Sequence, residues 1–190
     1  MVSAQVASIT AEISGFADRE VTYLAGMLQN LGEILVAHHS PVEYVAIEGD
    51  VKAGYSRDDA SLRELGFTFD SLAKVVGRRW KLSPRVCSIW DLVSASTDLT
   101  MLARFANELT RVMTLGPTTS RKAGVSILLM RYGWSLRLTA DEIAEVWDRA
   151  LTDTQETFET LGVSVSSLSL PIVNAAAYTG GQAQSPRVAV

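Results

Sequence analysis

Thr139-Ala140-Asp141-Glu142 opens a run in which Ile143, Trp147, Ala150, Leu151, Thr154, Phe158 and Leu161 recur at helical spacing up to Gly162. Threonine followed three residues later by glutamate is a capping box, and glycine just past the last periodic residue is a common helix stop. A stripe of this period cannot serve a strand, whose side chains change face at every residue. The rest of the chain repeats the arrangement. Ala4 to Ser14 reads as a short helix before Gly15, and Asp18 caps a long one reaching about His39, with Val21, Leu24, Leu28, Leu31 and Leu35 on one stripe. Pro41 opens a helix that ends near Gly54, and Ser56-Arg57-Asp58-Asp59 starts a shorter one ending at Gly66. Thr68 caps a helix expected to turn Leu72, Val75, Val76 and Trp80 inward, and Ser83-Pro84 pairs an N-cap with proline at the first helical position. Thr97-Asp98 begins a helix carrying Leu102, Phe105, Leu109 and Val112, which Gly116-Pro117 breaks. Ser120 to Tyr132 forms another, with Val125, Leu128 and Leu129 inside and Gly133 as its end. The expected fold is all-α.

With 190 residues and 47% hydrophobic content the chain can bury one sizeable core. The single cysteine, Cys87, lies between Val86 and Ile89 and reads as a small core residue, without a disulfide framework or a thiolate metal site. No apolar run approaches the ~20 residues of a membrane span, and Met1-Val2-Ser3-Ala4 lacks the basic start of a secretion signal. The cytoplasm is the expected location, with no role for a membrane. His38 and His39 are the only histidines, and as helix neighbours they point about 100° apart, so one ion cannot take both. Asp58-Asp59 and Asp141-Glu142 sit where carboxylates offset helix dipoles. No Ser-His-Asp arrangement or phosphate loop is present, so no catalytic residue, metal or cofactor is assigned.

Charge is unevenly distributed within a net −4. Acids lead bases by ten to four up to Glu64, bases lead by eleven to four from Leu65 to Arg137, and acids lead by seven to two thereafter. The sharpest cluster is Lys74, Arg78, Arg79, Lys81 and Arg85, either a solvated helix face or a patch for an anionic partner. Nucleic-acid binding would want an exposed aromatic interleaved with these cations. Trp80 is adjacent, but its place at a helix end reads as packing.

Ala25-Gly26-Met27-Leu28-Gln29-Asn30-Leu31-Gly32-Glu33 is similar to the metal-binding helix of the HD phosphohydrolase superfamily, whose hallmark is His-Asp-x-Gly-Lys. Gln29 stands at the His position, Asn30 at the Asp, Gly32 at the Gly and Glu33 at the Lys. Amides are poor ligands for zinc, iron or manganese. The combination resembles the HDOD family, a branch that keeps the HD scaffold without its metal site. The likeness continues through Ile34 to Tyr44, through Glu64-Leu65-Gly66-Phe67-Thr68-Phe69-Asp70, and through Val75 to Pro84, where Arg78-Arg79-Trp80-Lys81-Leu82-Ser83-Pro84 is similar to the family's Arg-Arg-Trp-x-Leu-Pro. Phe69 takes the place of a usual His, and Trp90 or Asp91 lies near where a further His pair is expected. The resemblance covers roughly residues 3 to 113.

The resemblance implies an HDOD-like helical bundle over 1–115, with a helical extension over 116–162 packed on it and a tail over 163–190. It also implies that the N-terminal part of the family domain is absent, which would leave Tyr23, Met27 and Ile34 exposed and available for self-association or a protein partner. Arg131-Tyr132-Gly133 and the helix after it are similar to extensions that follow some HDOD domains, including some downstream of bacterial protein kinases, although no kinase signature is present. The implied function is a non-catalytic signalling or scaffold module acting through protein–protein contacts. The alternatives are a degenerate metal-dependent phosphohydrolase of nucleotides or cyclic dinucleotides and, as a lesser reading, nucleic-acid binding through the basic middle. Gln29 and Asn30, if turned toward the core, are expected to find hydrogen-bond partners there.

Overall fold

The computed structural model describes residues 1–16, 18–91, 98–115 and 118–162. These residues are helical and contain no strand, as the stripes require. The helices are α1 (Val2–Ser14), α2 (Arg19–Leu28), α3 (Leu31–His39), α4 (Pro41–Lys52), α5 (Arg57–Leu65), α6 (Phe69–Arg79), α7 (Pro84–Cys87), α8 (Asp98–Leu115), α9 (Thr118–Leu136) and α10 (Ala140–Thr160). A short 3₁₀ turn, Ser88–Trp90, follows α7. The expected caps form: Asp18, Ser56, Thr68 and Ser83 each accept a backbone N–H from the first turn they precede. Thr139 and Glu142 complete the reciprocal box at the start of α10. Thr97, Gly116, Pro117 and the tail over 163–190 lie outside the described residues.

The long helix expected from Asp18 to His39 is instead two, broken at Gln29-Asn30. Asn30 leaves helical geometry (φ −96, ψ 18), and the Gln29 carbonyl accepts the indole N–H of Trp90 at 3.3 Å. A partner from outside the helix thus takes a carbonyl at the break, and the stripe changes direction there. Within α2, Leu24, expected on the inward stripe, is exposed.

Two further expectations fail for a shared reason. Helix α6 ends in a left-handed residue, Lys81 (φ 59), and Leu82 N–H bonds back to the Gly77 carbonyl at 3.0 Å. This Schellman turn carries Leu82 inward and leaves Trp80 outside, 55% exposed, with Val75 on the open face. The inward aromatic is Trp90, whose ring lies so close to Gly77 that a Cβ there would sit 2.7 Å from it. Helix α9 runs through Gly133 to Leu136 and ends the same way, at Arg137 (φ 54), with Leu138 N–H on the Gly133 carbonyl at 2.8 Å and the Leu138 side chain buried. Leu161, expected inside, is exposed at the end of α10.

Three apolar clusters share the interior. The largest joins α1, α8, α9 and α10 through Val6, Ile9, Phe105, Leu109, Leu136 and Trp147. The second joins α2, α3, α6, α7 and α8 around Trp90, Ile89 and Cys87, which is buried as expected. The third, around Ile47 and Phe69, ties α3 to α4, α5 and α6. Helix α1 packs against α2, α8 and α10, so the C-terminal helices share one core with the first. No helix among the described residues is long and apolar enough to cross a membrane.

Candidate functional site

The break between α2 and α3 places Asn30 and Glu33 on the side facing α8, where a seam of polar side chains runs between apolar clusters. Asn30 Nδ2 donates to Asn107 Oδ1 at 2.7 Å, the partner expected for a core-facing amide. Gln29 is buried, but its side-chain oxygen Oε1 has no partner among the described residues. Glu33 holds most of the seam together. Its Oε1 accepts from the Tyr44 hydroxyl and from Arg57 Nη1, both at 3.0 Å, and its Oε2 lies 3.6 Å from Arg111 Nη1. Arg57 also reaches Glu48 at 2.7 Å. Burial opposes the charge on Arg57, yet Glu33 and Glu48 more than offset it and its pKa is raised. Burial, then the Glu33 charge, raises the pKa of the Tyr44 phenol.

Helix α8 supplies Arg104, Asn107 and Arg111, which fall on one helical face at spacings of three and four. Arg104 acts electrostatically on Asp70, in the first turn of α6. Burial, reinforced by the nearby charge of Asp58 and opposed by Arg104, pushes Asp70 up to about 6. A carboxyl with a folded pKa above its unfolded value binds more protons when folded, so its ionisation costs stability as pH rises from about 4 to about 6. Replacing Asp70 with Asn is therefore expected to stabilise the fold by about 1–2 kcal/mol at pH 7.5, after allowance for solvent screening, and to have little effect near pH 4. Urea unfolding of both proteins at the two pH values checks this, and a pH-independent difference would contradict it.

Phe69, at the position of a usual histidine, is buried beside Tyr44 with ring centroids 6.5 Å apart. Its backbone abuts Gly32: a Cβ on Gly32 would overlap the Phe69 carbonyl oxygen and lie 2.7 Å from the carbonyl carbon. The unchanged glycine of the motif is therefore the point where α3 and α6 touch backbone to backbone. The donor set at this corner does not fit a catalytic metal: two amides, a phenyl ring and a carboxylate already engaged by arginines. Among the described residues no group of three or more His, Cys, Asp or Glu is placed to hold a metal ion. His38 and His39 are exposed in the last turn of α3. Sequence reading missed Arg57, Arg104, Asn107 and Arg111. For the last three the signal was a second stripe on α8, polar and at helical period, beside the apolar one; Arg57, in the first turn of α5, carried none.

The basic cluster divides in two. Lys74 pairs with Asp91, and Arg85 with Asp18 at 2.7 Å. Arg78, Arg79 and Lys81 are exposed, as is the adjacent indole of Trp80. The aromatic judged to be packing is thus on the surface among cations. Met27 and Ile34 are exposed as expected, at 37% and 58%, while Tyr23 is partly covered.

Residues 1–95 match the family model described as HDOD domain. No curated protein and no solved structure matches the chain significantly.

Proposed function

This chain belongs to the HDOD domain family, and from that premise we propose that it is a non-catalytic regulatory scaffold that binds a protein partner in the cytoplasm. The observation that carries this reading is the engagement of the seam. Phosphate-ester hydrolysis at such a corner would need a cation to polarise the phosphoryl group and acidify water. Here the motif positions are amides, and the one carboxylate among them is spent on Tyr44, Arg57 and Arg111. The hydrogen bonds and ion pairs of Glu33 fix the geometry of α3 against α4, α5 and α8. The partner surfaces that fit are the Arg78-Arg79-Trp80-Lys81 corner and the apolar outer faces at Met27 and Ile34. Arginine and tryptophan are the side chains that most often anchor interfaces.

The exposed Trp80 also favours a second reading, in which a single-stranded nucleic acid stacks on the indole and rests its phosphates on the three cations. Capture from native cells with the wild-type chain and an Arg78→Glu/Arg79→Glu variant tests both. The scaffold reading expects a defined protein that survives nuclease treatment and is lost with the variant. Recovery that nuclease abolishes would replace it with the second reading, and equal recovery by both chains would remove the corner from the account.

A further inference from the structure

Among the described residues, helix α9 leaves one face uncovered. Ala123, Ile127, Met130 and Trp134 are exposed and recur at spacings of four, three and four, so they form a single seam on the side away from α8. Ile127 is 51%, Met130 79% and Trp134 95% exposed. Heptad-like apolar spacing without a charge on its central positions is the pattern by which one helix receives another.

We propose that this seam is a homodimer interface in which two copies of α9 pair antiparallel across a two-fold axis. The sequence of the seam is complementary to its own reverse. With the axis between Ile127 and Met130, Trp134 of each copy faces Ala123 of the other, the largest side chain against the smallest, and Ile127 faces Met130. Helix α9 carries no acid, and Arg131 is already neutralised by Glu108 at 2.7 Å. A parallel pairing would instead bring Trp134 onto Trp134.

The helix is 19 residues, about 28 Å long, and its pairing would bury on the order of 1,000 Å² in total, the lower edge of specific interfaces. The interface does not depend on the regulatory reading or on the Trp80 corner.

Sedimentation equilibrium of the full chain over micromolar to sub-millimolar concentration is the test. The wild type is expected to show a monomer–dimer equilibrium. Replacing both Met130→Ser and Trp134→Ser is expected to weaken it about tenfold or more with an unchanged circular dichroism spectrum. A wild type that stays monomeric, or a dimer indifferent to the paired serine change, overturns the proposal. A dimer lost instead with Ile34→Ser would place association on α3 and overturn it equally.

Discussion

Gly32→Ala is expected to destabilise the chain by more than about 3 kcal/mol, while the same change at Gly49 stabilises it by about 0.5–1 kcal/mol. Both glycines lie within helices, so the intrinsic gain in helix propensity is shared. Their surroundings differ. A Cβ at Gly49 meets nothing within 4 Å, whereas at Gly32 it runs into the Phe69 carbonyl, a backbone group that cannot swing aside. Accommodating it means separating α3 from α6, which opens the cluster of Val36, Ile47, Ala60 and Phe69. Chemical unfolding of the two variants measures the contrast. Similar small effects at both positions would show that α3 and α6 do not touch as described.

Glu33→Ala is expected to cost about 2 kcal/mol. The change removes the acceptor of the Tyr44 hydroxyl and one of the two carboxylates on Arg57, and leaves Arg111 without its nearest acid. The cost stays below that of stripping a fully buried charge because Arg57 keeps Glu48 and part of its surface reaches water. Glu33→Gln, which can still accept hydrogen bonds, is expected to cost about half as much. A double-mutant cycle with Arg57→Ala should return a coupling of about 1 kcal/mol or more. A Glu33→Ala protein as stable as wild type would mean that the seam is an incidental surface arrangement.

Much of the architecture was legible because each helix announces its ends. Thr139 and Glu142, Thr68 and Ser83-Pro84 are local signals that need no tertiary partner to act. What failed depended on distant residues. The break at Gln29-Asn30 involves Trp90 and Asn107, far along the chain, and no window of sequence around Asn30 contains them. Trp80 reads as inward by period, but Lys81 in the left-handed region redirects the chain and Leu82 takes the interior place. Arg137 does the same at the end of α9, where Gly133 had looked like the stop. Neither cation is a residue from which positive φ is expected. At the candidate site the motif residues were found because a short pattern kept its spacing while its chemistry changed. Their partners on α8 were missed because burial of a polar stripe depends on what packs against it.

The central claim, that this corner holds structure together without chemistry, is tested most directly by metal titration joined to a hydrolysis assay. Purified protein would be supplied with manganese, then with nucleotides and cyclic dinucleotides, and followed by elemental analysis and product release. The account expects no stoichiometric metal after desalting and no product above the buffer control. One metal held per chain, with turnover, and both lost in a folded Gln29→Ala variant, would contradict it.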